Sequence, residues 1–286
     1  MTGSSPLVSV TDLAAQLGAA DLLVVDCRFE LADPARGARE HAAAHIPGAV
    51  HADLDRDLSD LSRPALGRHP LPHAAAFSAV LGRWGWTPST RVVAYDDAGG
   101  AIAAARLWWM LRLVGARHVA VLDGGWGAWK RAGLPLEATP VARPATVVAI
   151  AFKASEIVYT DELRALRRRG AALVLDARGA PRFRGEVEPI DPVAGHIPGA
   201  RNRPLTDNLA TDGCFKPAAE LRKELLVAIG AHAPATVIHS CGSGVSACQN
   251  LLAFEIAGLH GSRVYAPSWS GWIADPENPV ERDVRG

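Results

Sequence analysis

The chain has 286 residues, 49% of them hydrophobic, and its 30 basic and 30 acidic residues give a formal net charge of zero with neutral histidines. This length supports about two domains with sizeable cores. The balanced charge offers no basic surface for nucleic acid or an anionic membrane. Since no apolar stretch reaches membrane-spanning length and the N-terminus lacks a signal-peptide pattern, we expect a cytoplasmic protein that binds neither nucleic acid nor membrane.

The first half of the chain alternates short β-branched runs with helical patterns. This alternation is typical of a parallel sheet covered by helices. A domain boundary is expected in Glu137–Pro144, which contains two prolines and no clear periodicity. The predicted elements are strands at Leu22–Val25, Arg91–Tyr95 and His118–Leu122 and helices at Phe77–Leu81 and Ile102–Leu113.

Four motifs of the first half recur in the same order in the second half. Such a long period indicates a tandem duplication rather than a solenoid, and it predicts domains at residues 1–140 and 150–286. Because His45 and His196 occur in both copies, we interpret them as structural. The matched pairs are Val24–Arg28 with Val174–Arg178, His45–Ala49 with His196–Ala200, Val92–Asp96 with Val237–Cys241, and Val121–Trp129 with Val264–Trp272.

In the second copy, a strand-like run ends at Cys241. A loop of small residues follows, and a helical segment begins at Ala247. Loop N–H groups and the start of a helix both favour an anion, which lowers the pKa of a thiol, and the thiolate is the nucleophile. Asp96 stands at the matching position of the first copy. A carboxylate cannot act as a sulfur nucleophile, so we expect the first domain to be catalytically silent.

The other cysteines do not suggest a metal site or a disulfide framework. No two of the four cysteines have CxxC spacing, and chains of this length rarely depend on disulfides. We expect Cys27 and Cys248 to be packing residues. Cys214 lies in a polar turn and could be exposed, with a minor redox role left open.

Together, these motifs resemble the tandem-domain rhodanese family of sulfurtransferases over nearly the whole chain. The resemblance implies an α/β fold of two rhodanese-like domains, each a mainly parallel sheet flanked by helices. It also implies that Cys241 takes a sulfane sulfur from a small-molecule donor and holds it as a persulfide. The sulfur then passes to cyanide or to a thiol, either a small one or that of a thioredoxin-like protein. This chemistry requires neither a metal nor an organic cofactor.

The loop after Cys241 resembles the 3-mercaptopyruvate branch of the family. That branch reads Cys-Gly-Ser/Thr-Gly-Val-Thr-Ala, and Ser246 is the one departure in this chain. The branch links a loop serine to a histidine and an aspartate from the first domain, which implies a proton relay of Ser243, His69 and Asp55. The resemblance also implies a substrate-binding loop of Gly242, Gly244, Val245, Ser246 and Ala247.

The substrate clamp matches the branch less well. Arg182 fits the family's anion-binding arginine, and a guanidinium suits a carboxylate. Where a second arginine is expected, the chain has Ile190. Arg184 is a possible substitute, but on an extended backbone it would point the same way as Arg182, and it could equally be a partner in a surface salt bridge. We interpret Arg178 as structural because Arg28 corresponds to it. Trp269 is expected near the site, and the repeated tryptophans are expected to be core or domain-interface anchors.

Three alternatives remain beside a mercaptopyruvate enzyme. Thiosulfate as the donor is the first, because the second arginine is missing. A cysteine phosphatase needs an arginine six residues after the cysteine, and Ala247 stands there, which disfavours this reading. A non-catalytic scaffold or sulfur sensor is the third, although such domains usually lack the cysteine.

Overall fold

The computed structural model describes residues 5–99 and 102–283, and these form two compact units. Two short segments, Leu61–Pro70 and Thr211–Phe215, each belong to the unit that does not contain their neighbours in the sequence. The predicted division between residues 140 and 150 does not include this exchange, and its limits stay a prediction. The first unit comprises the described parts of Met1–Asp60, Leu71–Lys153 and Thr211–Phe215, and the second comprises those of Leu61–Pro70, Ala154–Ala210 and Lys216–Gly286.

The first unit contains one sheet of five parallel strands. The strands are β1 (Leu7–Val8), β2 (Leu22–Asp26), β3 (Val50–His51), β4 (Arg91–Tyr95) and β5 (Val119–Leu122). They lie in the order β1-β5-β4-β2-β3. The helices are α1 (Val10–Ala14), α2 (Arg36–Ala43), α3 (Ala74–Arg83), α4 (Ala103–Leu113) and α5 (Gly125–Arg131).

The second unit repeats this arrangement. Its strands are β6 (Ile157–Val158), β7 (Leu173–Asp176), β8 (Arg201–Asn202), β9 (Val237–Ser240) and β10 (Arg263–Tyr265). They are parallel in the order β6-β10-β9-β7-β8, position for position the order of the first sheet. The helices are α6 (Thr160–Arg168), α7 (Ala180–Arg184), α8 (Ala218–Ile229), α9 (Ala247–Ile256) and α10 (Ser268–Trp272).

Interior strands of the two sheets are buried because helices cover the sheets. Every residue of β2 and of β9 is buried, as expected for parallel sheets between helices. Helix α9 packs on β9 and β10. The predicted α/β class with two parallel sheets is therefore confirmed. Among the described residues, no helix is long and apolar enough to cross a membrane.

The repeated tryptophans anchor the cores, as predicted. Trp126 and Trp129 belong to the core of the first unit, and Trp269 and Trp272 belong to that of the second. The indole N–H groups of Trp129 and Trp272 donate to equivalent carbonyl oxygens, those of Pro135 and Pro279. Buried indoles usually satisfy their polar edge in this way.

The repeated histidines make the same kind of contact in both units. Nδ1 of His45 lies 2.7 Å from the carbonyl oxygen of His41, and Nδ1 of His196 lies 2.7 Å from that of Phe183. Both imidazoles are buried. These contacts match the structural interpretation of the two residues.

Candidate active site

Cys241 lies at the carboxyl end of the central strand of the second unit. It follows Ser240, the last residue of β9, and β9 is bonded to β10 on one side and β7 on the other. In open parallel sheets, ligands bind beyond this edge of the strands. The Cys241 residue is only 1% exposed, so a reaction at its sulfur would take place largely shielded from water.

The loop after Cys241 directs a backbone donor at the thiol. The N–H group of Gly244 donates to Cys241 Sγ at 3.1 Å. Gly244 has a φ of 78°, a left-handed conformation that glycine adopts without a Cβ clash. A fixed N–H dipole stabilises negative charge on the sulfur. The expectation that loop amides approach the thiol is therefore confirmed for Gly244.

The start of α10 holds the backbone of the cysteine loop from the other side. The N–H groups of Trp269 and Ser270 donate to the carbonyl oxygens of Cys241 and Gly242, both at 2.9 Å. The hydroxyl of Ser268 accepts from the N–H group of Cys241 at 3.1 Å. Trp269 thus lies beside the site, as predicted, but it contacts Cys241 through its backbone.

Ser243 and His69 form a buried pair next to Cys241. A hydrogen bond of 2.8 Å joins His69 Nδ1 to Ser243 Oγ, and both residues are buried. We expected His69 to come from the first domain, but it lies in Leu61–Pro70, which packs with the second unit. The structure therefore brings together two members of the predicted relay.

Asp55, the third predicted member, belongs to the first unit. Burial raises the pKa of its carboxyl group, and the nearby charge of Asp53 raises it further. Its backbone N–H group donates to Asp53 Oδ1 at 3.0 Å. The orientation of His69 by Asp55 stays a prediction.

Arg182 extends from α7 and is held by two carboxylates. Its Nη2 donates to Glu188 at 2.7 Å and to Asp191 at 3.1 Å, and its Nε donates to Glu188 at 3.1 Å. The expectation that Arg184 points the same way is wrong, because both arginines lie on a helix rather than an extended strand. Arg184 pairs with Glu186 in an exposed contact, which confirms the alternative of a surface salt bridge.

Arg68 is a site residue that the sequence reasoning missed. Its Nη1 donates to Asp191 at 2.5 Å, and its backbone N–H group donates to Ser270 Oγ at 2.9 Å. A methyl group built on Gly242 would lie 3.1 Å from Nη2 of Arg68 and 3.8 Å from Nη2 of Arg182. Two guanidinium groups therefore lie over the first residue of the cysteine loop. The signal in the sequence was the position of Arg68 directly before His69.

Two carboxylates, Asp191 and Glu188, pair with the two guanidinium groups of Arg68 and Arg182. Asp191 is buried and bridges Arg68 and Arg182. Burial raises the pKa of Glu188, but hydrogen bonds from Arg182 and from backbone N–H groups outweigh this and hold the pKa below its ordinary value. Ile190 is exposed, and its backbone N–H group donates to Glu188 Oε1 at 3.1 Å. The position predicted for the second arginine thus helps to position Glu188.

The rest of the loop leads into α9. Val245 is buried, and its carbonyl oxygen accepts from the N–H group of Cys248. Ser246 is the residue before the helix, and Ala247 is its first residue. The substrate contacts predicted for these loop residues stay a prediction.

The remaining cysteines lie in unreactive surroundings. Cys27 and Cys248 are buried, as predicted, and burial raises the pKa of Cys27 well above its ordinary value. Cys214 is half-buried. Burial, followed by the charges of Asp123 and Asp212, raises its pKa to about 11, so little thiolate exists there near neutral pH.

In the first unit, a carboxylate occupies the loop that follows the central strand. Asp96 accepts hydrogen bonds from the N–H groups of Ala98, Ile102 and Ala104 at 3.0–3.1 Å. The side chain is buried. Like the loop after Cys241, this segment directs backbone N–H groups at a negative charge, but here the charge is that of the Asp96 carboxylate.

Comparison with known proteins places this geometry in a family. A family model described as "Rhodanese-like domain" matches residues 9–132 and 159–275. The chain therefore belongs to the rhodanese family. Since its similarity to sulfurtransferases extends over nearly its full length, it is a sulfurtransferase enzyme.

Individual relatives carry two kinds of name. "Probable 3-mercaptopyruvate sulfurtransferase" of Pseudomonas aeruginosa is 48% identical over 97% of this chain and 98% of its own. "Putative thiosulfate sulfurtransferase SseB" of Mycobacterium tuberculosis is 38% identical over 96% of both chains. Among solved structures, the 3-mercaptopyruvate sulfurtransferase SseA of Escherichia coli is 32% identical, with a TM-score of 0.82 over 93% of this chain and 99% of that one.

Proposed function

We propose that the protein transfers sulfur from 3-mercaptopyruvate to a thiol or to cyanide through a persulfide on Cys241. The observation that carries the choice of donor is the buried hydrogen bond between His69 and Ser243, in the loop of Cys241. A route for protons is useful only if the leaving group needs one. Pyruvate departs as an enolate that must be protonated, whereas thiosulfate releases sulfite, which needs no proton.

Binding begins at the two guanidinium groups beside Gly242. Mercaptopyruvate has one carboxylate, and Arg182 and Arg68 offer donors that suit it. Asp191 forms an ion pair with both arginines and offsets part of their charge. A partly neutralised pair favours a monoanion over a dianion, because less positive charge remains for the second negative charge.

Sulfur transfer then takes place at Cys241. Its thiolate attacks the sulfur of the donor, a new S–S bond forms, and the C–S bond breaks with its electron pair going to the pyruvate enolate. The N–H group of Gly244 faces Sγ and stabilises negative charge on it. His69 supplies a proton to the enolate carbon through the hydroxyl of Ser243, which completes pyruvate.

The second half-reaction returns the free enzyme. An acceptor thiolate or cyanide attacks the outer sulfur of the persulfide, and Cys241 leaves as a thiolate. Every step uses side chains and backbone groups of this chain, so the proposed mechanism includes no metal or organic cofactor. The identity of the physiological acceptor and a cytoplasmic location stay predictions.

The discriminating experiment compares kcat/KM for 3-mercaptopyruvate and thiosulfate, with cyanide as acceptor, in the wild type and in Ser243→Ala. Loss of a proton relay should cost about 100-fold with mercaptopyruvate. The change with thiosulfate should stay within about threefold. Ser155→Ala is the matched control, because this serine is exposed. Equal losses with both donors would contradict the relay.

Thiosulfate is the second candidate donor. The guanidinium groups beside the cysteine loop can bind oxyanions other than carboxylates, and one relative with 38% identity is named "Putative thiosulfate sulfurtransferase SseB". A wild-type preference for thiosulfate in the same assay would favour this candidate and would leave the persulfide on Cys241 unchanged.

A further inference from the structure

We propose that Ser268 is a positioning residue for the reactive sulfur, and that its hydroxyl is why the second unit keeps a strained backbone conformation beside Cys241. This inference rests on the proposed function, since it assigns a role in the chemistry of Cys241.

Ser268 has a backbone conformation that its residue type disfavours. Its φ is 52°. Among the described residues, all the others with a positive φ are glycines. A side chain with a Cβ clashes with its own backbone in this region. Strain of this kind persists only where the surrounding structure imposes it, and it is concentrated at functional sites.

The first unit shows what the fold itself requires at this position. The motif Val121–Trp129 corresponds to Val264–Trp272, so Gly125 corresponds to Ser268. Gly125 has a φ of 54°. The duplicated fold therefore needs a left-handed residue here, and the first unit meets the need with glycine, which is not strained.

The backbone around this residue is equivalent in the two units. The N–H group after Gly125, that of Trp126, donates to the carbonyl oxygen of Asp96 at 2.8 Å. The N–H group after Ser268, that of Trp269, donates to the carbonyl oxygen of Cys241 at 2.9 Å. Because this contact is the same with either residue type, it does not explain the serine.

The Ser268 side chain does explain it. The residue is fully buried, and Oγ lies 3.1 Å from the backbone nitrogen of Cys241, 3.0 Å from the carbonyl oxygen of Tyr265 and 3.8 Å from Cys241 Sγ. The first unit has a carboxylate in place of the thiol, and this carboxylate accepts from the backbone N–H groups of Ala98, Ile102 and Ala104. Only the unit with a thiol has the hydroxyl.

One hydroxyl proton has two acceptors in reach. Oγ accepts from Cys241, and its single proton is donated either to the Tyr265 carbonyl or to the sulfur. Negative charge on Sγ makes the sulfur the better acceptor. The hydroxyl then rotates about the Cβ–Oγ bond. The hydrogen bond to the Tyr265 carbonyl breaks, one to Cys241 Sγ forms, and the proton stays on Oγ. The thiolate that leaves the persulfide gains a second donor in addition to the N–H group of Gly244.

Two variants separate the hydroxyl from the strain. Ser268→Ala keeps the Cβ and removes the hydroxyl, whereas Ser268→Gly removes both. We expect both variants to raise the pH midpoint of Cys241 alkylation by iodoacetamide by about one pH unit. They should also lower kcat/KM about tenfold. Ser268→Gly should melt at a higher temperature than Ser268→Ala, because only glycine relieves the strain.

Alkylation is followed on the Cys241 peptide by mass spectrometry in the absence of any sulfur donor. Its result therefore does not depend on which donor the enzyme uses. A wild type that releases no pyruvate from mercaptopyruvate would reject the proposed function and leave the test of Ser268 valid. Gly125→Ser is the control, because it adds the same strain to the unit without the thiol and should leave the alkylation midpoint unchanged. A midpoint in Ser268→Ala or Ser268→Gly equal to that of the wild type would overturn the proposal.

Discussion

At the scale of single residues, the site depends on side chains whose charges are held in place by other charges. Arg68 and Arg182 share Asp191, and Glu188 binds Arg182 from a second direction. The two guanidinium groups are thereby fixed over Gly242. A donor carboxylate would meet groups that lose little freedom on binding, which favours affinity.

Arg68→Met tests whether Arg68 binds the donor. Methionine keeps an apolar side chain and removes the charge, so KM for 3-mercaptopyruvate should rise about tenfold or more, with a smaller change in kcat. Steady-state kinetics with cyanide as acceptor provide the measurement. Arg184→Met is the matched control, since Arg184 makes an exposed pair with Glu186 and such pairs contribute little.

The two variants must differ for the assignment to hold. An unchanged KM in Arg68→Met would show that Arg182 binds the donor without Arg68. An equal rise of KM in Arg184→Met would point to a general loss of positive charge.

Ser243 and Arg182 could be predicted at this scale because each lies inside a recognisable motif. Arg68 was missed although it directly precedes His69, because its ion-pair partner Asp191 is far away in the sequence and only the fold brings them together. The strain at Ser268 is also invisible in the sequence, since a serine between a proline and a tryptophan implies no particular φ.

At the scale of elements, strand β9, which ends directly before Cys241, contains a buried histidine. His239 is fully buried, and its Nε2 lies 3.0 Å from Ser262 Oγ. Burial lowers the pKa of His239 to about 3, from an ordinary value of 6.5. Between these values, the unfolded chain binds a proton that the folded chain does not. The free energy of unfolding therefore falls as the pH falls from 6.5 toward 3.

Replacing His239 should remove this dependence. In the wild type, the histidine contributes a slope of about 1.4 kcal/mol per pH unit once the unfolded chain is fully protonated at this position. His239→Gln keeps a polar group near Ser262 and should flatten the dependence between pH 6.5 and 5, measured by urea unfolding. His118→Gln changes an exposed histidine and should leave the slope as it is. Identical slopes in the wild type and His239→Gln would refute this account.

The longer elements were predictable because their patterns are strong. Arg91–Tyr95 has the predicted limits, and the helix predicted over Ile102–Leu113 is observed as Ala103–Leu113. Helix α7 was not predicted, because its five residues are too few to establish a helical period. That omission led to the wrong orientation for Arg184.

At the scale of the whole molecule, one fold occurs twice with different groups at the end of the central strand. Both sheets have the same strand order, and the position of Cys241 is occupied in the first unit by Asp96. The carboxylate of Asp96 accepts three backbone hydrogen bonds. We propose that the first unit is catalytically silent and that Asp96 stabilises its loop.

Asp96→Ala should therefore destabilise the protein without removing its activity. Three N–H groups would lose this acceptor, and the buried one, that of Ala104, would cost about 1–3 kcal/mol if left unsatisfied. Below the melting temperature, kcat should stay within about twofold of that of the wild type. Asp97→Ala is the control, because Asp97 makes a partly exposed ion pair with Arg36, which should contribute less than about 1 kcal/mol. Thermal melts and turnover of the same samples decide the matter, and a large loss of kcat in folded Asp96→Ala would refute a silent first unit.

The duplication could be predicted from the four repeated motifs, but the exchange of segments could not. Leu61–Pro70 and Thr211–Phe215 each pack with the other unit. Neither segment has a helical or strand period, so the sequence contains no pattern that assigns it to a sheet. His69 lies in the first of these segments, and for that reason the sequence assigned it to the first domain.

The central claim is a persulfide formed on Cys241 from 3-mercaptopyruvate, and a single-turnover experiment tests it most directly. The enzyme is mixed with excess 3-mercaptopyruvate without an acceptor, pyruvate is counted, and peptides are analysed by mass spectrometry. We expect one pyruvate per chain, one added sulfur atom on the Cys241 peptide, and neither product in Cys241→Ser. Pyruvate release that persists in Cys241→Ser, or added sulfur on a peptide other than that of Cys241, would contradict the account.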